Sequence, residues 1–404
     1  MKICIETFGC RLNRAESLDL EAAFLAAGWT RAETHRDADM IVVRCCAVTA
    51  RAQANSERLV AHLKRKYPAK RVVVAGCTKS RANLNFIPPE VSAAAAASAA
   101  DAPLPSRTAR AYLKVQDGCS GACSFCIVPK FRGAPVSYGF APLVDRAKRL
   151  ADSGYGEIVL TGCNLSLYSD SGKGLADLVG AVADAAPGCR VRVSSVEPGP
   201  AAKDVVAAMR EKPNVCRFLH MPVQSGSNRI LSAMRRQYLL KDAESVMREA
   251  AETMPGIGLG CDIIAGFPGE TESDHGATLA LLHRLPFTNV HVFPFSARPG
   301  TVAAALPGQL SHEIRHARAH EIAALAVEKR SAFAKRFRGR KVEIVVEDQK
   351  SLGGWTAEYL WCEAGRDRAR NISAGHPEKY APRKSRLAMF VREVRGDTLT
   401  GDPV

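Results

Sequence analysis

Cys119, Cys123 and Cys126 lie in the run Gln116-Asp117-Gly118-Cys119-Ser120-Gly121-Ala122-Cys123-Ser124-Phe125-Cys126, spaced Cys-x3-Cys-x2-Cys. Thiolates this close hold a soft metal, so an iron–sulfur cluster or zinc is the natural occupant. A structural zinc wants four ligands. No His or Cys follows within several residues of Cys126, and a four-iron cluster with one iron left open therefore fits the triplet better. Structural zinc, or core cysteines that hold no metal, is the alternative.

Three more cysteines share one kind of position. From residue 2 to about 91, short apolar runs alternate with amphipathic stretches, the pattern of a small parallel α/β domain. Strands are expected over Lys2 to Thr7, Met40 to Val43 and Arg71 to Ala75, with helices around Arg14 to Ala27 and Ala50 to Lys66. Cys10, Cys46 and Cys77 each follow a strand. The carboxyl ends of parallel strands lie on one sheet edge, so these three are delivered together despite their distance in sequence. A second metal site and coincidentally buried cysteines both satisfy that placement.

Residues 92–108 are alanine-rich and read as a linker or a short exposed helix. From Tyr112 to about Thr301 a strand–helix alternation repeats six times. The strands expected are Tyr112 to Gln116, Glu157 to Thr161, Arg190 to Ser195, Cys216 to His220, Gly258 to Ala265 and Asn289 to Phe295. Six parallel βα units predict a partial (β/α)6 barrel with its chemistry at the carboxyl ends of the strands, where the Cys119 triplet falls. A long helix is expected over His312 to Arg338. After Arg340 the pattern changes to period two, predicting a small antiparallel β-barrel. The domains expected are 1–91, 109–337 and 338–404.

The 56 basic against 41 acidic residues give a formal charge of +15, which favours a polyanion such as RNA. Arg338, Arg340, Lys341, Arg366, Arg368, Arg370, Arg383, Lys384 and Arg386 concentrate that charge in and around the last domain. Trp355, Tyr359 and Trp361 lie among them, either as a stacking platform for bases or as the barrel core. Thirteen cysteines with no secretory leader, and no apolar window of membrane-spanning length, predict a cytoplasmic protein with reduced thiols and no membrane association.

The chain resembles the methylthiotransferase family of radical S-adenosylmethionine (SAM) enzymes over nearly its whole length. The resemblance is carried by Thr7-Phe8-Gly9-Cys10-Arg11-Leu12-Asn13, Cys46-Ala47-Val48-Thr49, Gly76-Cys77, the Cys119 triplet, Ile158-Val159-Leu160-Thr161-Gly162 and Ser194-Ser195-Val196-Glu197-Pro198. It continues through His220-Met221-Pro222-Val223-Gln224-Ser225-Gly226-Ser227, Asp262-Ile263-Ile264-Ala265-Gly266-Phe267-Pro268-Gly269-Glu270-Thr271 and His291-Val292-Phe293-Pro294-Phe295-Ser296-Ala297-Arg298-Pro299-Gly300-Thr301. The resemblance implies an N-terminal domain carrying an auxiliary cluster, a radical SAM core and a C-terminal RNA-binding TRAM barrel. It implies two [4Fe-4S] clusters: one on Cys119, Cys123 and Cys126 that cleaves SAM to a 5′-deoxyadenosyl radical, and one on Cys10, Cys46 and Cys77 that carries the sulfur to be methylated and inserted.

The same resemblance implies a tRNA anticodon stem-loop as partner, an electron donor such as flavodoxin or ferredoxin, a sulfur donor, and a monomer. Arg11-Leu12-Asn13 is similar to the branch that acts on threonylcarbamoyladenosine at position 37. Isopentenyladenosine in tRNA or a ribosomal-protein aspartate is the alternative substrate. A radical SAM enzyme whose auxiliary cluster only passes electrons, or a noncatalytic RNA-binding iron–sulfur protein, is the alternative activity. Thr161, Gly162, Asn164, Ser194, Glu197, Gln224 and Asp262 are candidates for SAM contacts, Glu197 and Asp262 being alternatively helix caps or loop braces. Phe125 is expected to shield the core cluster, and Arg132 and Arg298 to meet phosphate or carboxylate, or to form structural ion pairs.

The chain departs from the family at Arg44, Cys45, Lys130, Tyr138 and Cys163. Cys46 is preferred to Cys45 as ligand because it precedes Ala47-Val48-Thr49. Cys4, Cys189, Cys216, Cys261 and Cys362 read as core.

Overall fold

The computed structural model describes residues 1–77, 88, 91, 108–365 and 385–404. The expected linker therefore lies outside the described residues apart from Thr108, as do Arg366, Arg368, Arg370, Arg383 and Lys384.

The N-terminal unit is a parallel sheet of β1 (Lys2–Thr7), β2 (Thr30–Arg31), β3 (Met40–Cys45) and β4 (Arg71–Gly76) in the order β2-β1-β3-β4. β3 is buried along its full length, as the apolar run Met40 to Val43 requires of a central parallel strand. Two helices, α1 (Arg11–Ala26) and α2 (Ala50–Lys66), follow β1 and β3. Cys10 occupies the N-cap of α1 without using its side chain for the cap. Thr49 caps α2, its hydroxyl accepting from Ala52 N at 3.2 Å. One residue of the Cys46-Ala47-Val48-Thr49 motif is thereby a helix start.

The central unit carries six parallel strands: β5 (Arg110–Lys114), β8 (Glu157–Thr161), β11 (Arg190–Val193), β12 (Phe218–Gln224), β13 (Gly258–Ala265) and β14 (Asn289–Pro294). They form two three-stranded sheets, β11-β8-β5 and β12-β13-β14. Bridges Val191 to Val215 and Ser195 to His220 join the two into one open barrel. A ribbon of β6 (Gln116–Asp117) with β7 (Val136–Ser137) brackets the cysteine loop, and a hairpin of β9 (Ser169–Asp170) with β10 (Lys173–Gly174) lies after β8. The outer helices are α3 (Val128–Arg132), α4 (Phe140–Asp152), α5 (Leu175–Ala185), α6 (Pro200–Glu211), α7 (Asn228–Ala233), α8 (Leu240–Thr253), α9 (Glu272–Arg284) and α10 (His312–Lys335). One apolar core joins the barrel strands to these helices.

The fourth strand starts at Phe218, two residues beyond the sequence expectation. Cys216 instead occupies the approach to it, pairing by its N–H with Val191 O.

The C-terminal unit is a closed barrel in the order β15-β16-β17-β19-β18, formed by β15 (Lys341–Asp348), β16 (Gly353–Thr356), β17 (Trp361–Ala364), β18 (Arg386–Arg395) and β19 (Thr398–Pro403). It is not wholly antiparallel as expected, since β17 and β19 pair in parallel; a parallel pair closes a five-stranded barrel whose other four pairings are antiparallel. Ile344, Val346, Leu352, Leu360, Cys362, Met389, Val391 and Leu399 fill it, with Phe333 from the end of α10.

Trp355 and Tyr359 neither fill this barrel nor stand clear of the protein. Tyr359 stacks on Trp355 at 4.6 Å and on Phe218 of the central barrel at 4.8 Å, so the aromatics form the joint between the two units. A buried ion network fastens the same joint. Glu157 pairs with Arg190 at 2.9 Å and with Arg192 at 2.8 Å. Both arginines also donate to barrel carbonyls: Arg190 to Glu343 and Trp355, Arg192 to Thr356 and Ala357.

Burial opposes ionisation of Glu157 most strongly, but the surrounding guanidiniums outweigh it and hold its carboxyl down to about 2. A carboxyl depressed in the folded state adds stability above its unfolded value near 4.3, and that stability is lost as pH falls toward 2. Removing one partner of a buried ion set costs about 3–5 kcal/mol. Glu157→Gln should lose stability of that order in chemical denaturation and flatten the stability profile between pH about 4.5 and 2.

Candidate active site

Both cysteine sets lie at the carboxyl ends of parallel strands, on facing units. In the core, each thiol of the triplet accepts an N–H. Cys119 Sγ takes Gly121 N at 3.2 Å and, more distantly, Asn164 Nδ2 at 3.9 Å. Cys123 Sγ takes Arg236 Nη1 at 3.1 Å, and Cys126 Sγ takes Val128 N at 3.4 Å. Such donors orient the sulfurs as ligands and would meet the charge of a bound cluster.

Two loops hold the triplet. Gly118 has φ +67, and a Cβ there would lie 1.9 Å from Ala134 O, which only glycine avoids. The buried amide of Gln116 donates to Asp117 O and Gly118 O, both at 2.7 Å, and accepts from Asn164 N at 2.9 Å. A Cβ at Gly162 would come within 2.9 Å of that amide. The cysteine loop and the loop after β8 are therefore one assembly.

The N-terminal set is held more tightly. Gly9, at φ +97, has no room for a side chain: a Cβ would lie 2.6 Å from Cys46 Cβ and 2.7 Å from its Sγ. Cys77 N bonds Cys45 O at 3.1 Å, and Asn13 Nδ2 donates to Phe8 O at 2.8 Å and Cys45 O at 2.9 Å. Asn13 thus ties the loops after β1 and β3 together. Burial first, with Cys10 and Cys77 beside it, raises the Cys46 thiol to about 11. Cys45 packs among Ile41, Val43 and Leu63 on the other side of the sheet.

Among the described residues, two groups of His, Cys, Asp or Glu bring three ligand atoms within 4.8 Å of one another, and neither cysteine set is one of them. The triplet, with an N–H donor on each sulfur, fits an iron–sulfur cluster.

Arg132, expected at phosphate or carboxylate, is buried between the two cysteine sets. Its Nε donates to Cys77 Sγ at 3.2 Å; Nη1 donates to Glu16 at 2.9 Å and Asp117 at 3.0 Å; Nη2 donates to Asn13 Oδ1 at 2.8 Å and Glu16 at 3.1 Å. It has no donor to spare for RNA. Glu16 also takes Lys114 at 2.6 Å and pairs with Arg44. Burial works against its ionisation, but the hydrogen bond from Arg132 and the charges of Arg44, Arg132 and Lys114 together hold it to about 2. The departure at Arg44 is thereby accounted for as an ion pair. Cys163 donates to Asp117 Oδ1 at 3.3 Å at the edge of this network, and its thiol is pushed well up, chiefly by burial.

The remaining SAM candidates divide. Glu197 pairs with Arg236 Nη2, which also donates to Pro222 O, while Nη1 reaches Cys123 and Nε reaches Tyr238. Ser194 accepts from Arg11 at 3.4 Å. Thr161 is buried at the end of β8, and Gln224 holds φ +70 at the end of β12. Asp262 Oδ1 meets His220 at 3.1 Å and His291 at 3.2 Å, within the barrel. Neither Glu197 nor Asp262 caps a helix. Phe125 packs against the cluster of Ile230, Met234, Phe267 and Phe295.

Arg298 is also buried and donates to Gln53 of α2, linking the central and N-terminal units. Arg386 is exposed but forms a two-bonded pair with Glu343 at 2.7 and 2.8 Å. Arg338, Arg340 and Lys341 remain exposed at the root of the C-terminal barrel.

Arg236 and Gln116 were not anticipated. Arg236 lies outside every motif, and its sequence signal is only the pair Arg235-Arg236 in the turn after α7. Gln116 was placed in a strand, which gave its side chain no task.

The fold and the cysteine loop define a radical SAM enzyme: residues 113–282 match the radical SAM superfamily, and residues 2–94 match the uncharacterized protein family UPF0004. A solved radical SAM methyltransferase, TsrM from Kitasatospora setae, shares the fold with a TM-score of 0.54 at 16% identity over 75% of each chain. Similar curated proteins include the tRNA-2-methylthio-N(6)-dimethylallyladenosine synthases of Chlorobium luteolum, 34% identical over 85% of this chain and 86% of that protein, and of Chlorobium phaeovibrioides, 31% identical over 98% and 95%. The threonylcarbamoyladenosine tRNA methylthiotransferase MtaB of Bacillus subtilis is 28% identical over 89% of each. The chain belongs to the methylthiotransferase family of radical SAM enzymes, and it is a transferase.

Gly9→Ala places a methyl group on Cys46 and strains the loop. It should remove about half of the iron and sulfide from reconstituted protein while 5′-deoxyadenosine formation from SAM persists. Full iron content in that variant contradicts the assignment of Cys46.

Proposed function

We propose that the protein transfers a methylthio group to C2 of N6-threonylcarbamoyladenosine at position 37 of tRNA, using two [4Fe-4S] clusters and SAM. The observation that carries the proposal is the pair of three-cysteine sites, each one ligand short of a full cluster, joined through Arg132 in a chain whose relatives are named tRNA methylthiotransferases. Cys119, Cys123 and Cys126 would hold the cluster that binds SAM; Cys10, Cys46 and Cys77 would hold the other. When bound, the groups supply a reducing electron for SAM cleavage and a sulfur for transfer.

The chain's own residues surround that chemistry. Asn164 reaches Cys119 Sγ and Glu197 pairs with the arginine on Cys123; these two would offer a donor and a carboxylate to the amino-acid end of SAM. Arg11 stands where the three units meet, donating to Ser194 Oγ at 3.4 Å and to Tyr359 Oη at 3.0 Å. A guanidinium there suits the carboxylate of a threonylcarbamoyl group better than an apolar isopentenyl group. The reading with isopentenyladenosine as substrate is favoured by the names of the two Chlorobium relatives.

Exposed Arg338, Arg340 and Lys341 would meet the phosphates of the anticodon stem-loop. A flavodoxin or ferredoxin would supply electrons, and a separate donor would restore the sulfur. No helix among the described residues is long and apolar enough to cross a membrane.

Nucleoside mass spectrometry of tRNA from a deletion strain tests the proposal. Loss of 2-methylthio-N6-threonylcarbamoyladenosine is expected; loss of the isopentenyl product instead selects the second reading, and unchanged tRNA contradicts both. Replacing Arg338, Arg340 and Lys341 with Ala should also lower the slope of log affinity for tRNA against log salt by roughly 0.7–0.9 per lost phosphate contact.

A further inference from the structure

Two buried guanidiniums touch the two cysteine sites, one at each. Arg132 Nε lies 3.2 Å from Cys77 Sγ, and Arg236 Nη1 lies 3.1 Å from Cys123 Sγ. Both side chains are nearly inaccessible, at 5% and 6% exposure. Both are also fixed at their other nitrogens, Arg132 by Glu16, Asp117 and Asn13, and Arg236 by Glu197, Tyr238 and Pro222 O. Arg132 cannot turn away from its sulfur without giving up Glu16 and Asp117, nor Arg236 without giving up Glu197.

We propose that each cluster has its own arginine on one thiolate, Arg132 for the N-terminal cluster and Arg236 for the core cluster, and that these two residues set the reduction potentials independently. The proposal rests on the two-cluster reading above. Both are positioning residues, acting on the bound group through a cysteine sulfur. A cluster gains negative charge on reduction, and a donor or cation held at its sulfur stabilises the reduced form and raises the potential. Low effective dielectric strengthens the effect at both sites.

The arrangement also predicts independence. Arg132 is fixed to carboxylates of α1 and of the cysteine loop, whereas Arg236 is fixed to Glu197 after β11, and no residue is bonded to both arginines in the contacts above. Each cluster's potential is thereby set without disturbing the other's.

The test is a redox titration of anaerobically reconstituted full-length protein, followed by electron paramagnetic resonance, with iron and sulfide measured on the same samples. Arg132→Gln should move the midpoint of the N-terminal cluster to more negative values and leave the core cluster in place; Arg236→Gln should do the reverse. Arg132→Lys keeps the charge in a variant with less disturbance to packing, and should restore part of the shift. Midpoints that stay put in variants with full iron content overturn the proposal, and so does a single substitution that moves both clusters alike. Wild-type protein that holds only one cluster contradicts the two-cluster reading itself, a result distinct from two clusters that ignore their arginines.

Discussion

The shared carboxylate of Glu16 is the constraint on which the site depends. It comes from α1, directly behind Cys10, and accepts from Arg132 and Lys114 of the core while pairing with Arg44 at the end of β3. Three cations around one largely enclosed carboxylate offset the desolvation that each would otherwise suffer there. Asp117 takes part of the same charge, pairing with Lys114 and Arg132. The loop with the Cys119 triplet and the loops with Cys10, Cys46 and Cys77 are therefore fixed by one set of ions, and a shift of either unit would leave several buried charges unpaired.

A second set of ions holds the C-terminal barrel. Glu157, Arg190 and Arg192 sit in strands of the central barrel, where alternation would normally place apolar side chains, and Arg192 and Glu157 are fully buried. Their bonds to backbone carbonyls rather than to side chains of the C-terminal barrel make this contact indifferent to much of that barrel's sequence. With Tyr359 packed on Phe218 and reached by Arg11, all three units meet at one tyrosine.

Much of this was legible in the sequence because it is local. The strand β8 was expected with its observed bounds, as were β1 and α2, since apolar runs and a cap residue such as Thr49 fix them without help from distant residues. The six parallel strands and the convergence of Cys10, Cys46 and Cys77 on one edge follow from topology. What stayed hidden depends on which residues meet across units. Arg132 looks like a phosphate ligand until Glu16, 116 positions earlier, is placed beside it. Trp355 and Tyr359 are half-buried and outside the barrel core, and the contact that Tyr359 makes with Phe218 of another unit could not be read from their own stretch. The parallel pairing of β17 with β19 is likewise invisible to a period-two pattern, which reports strands but not their partners.

The central claim, that the ion set around Glu16 holds two clusters face to face, is tested most directly by pulsed electron paramagnetic resonance on reconstituted, fully reduced protein. A magnetic interaction between two cluster spins is predicted, vanishing when Cys119, Cys123 and Cys126 are replaced by Ala and weakening in Glu16→Gln. Two cluster signals that ignore each other, or an interaction unchanged in Glu16→Gln, would contradict the account.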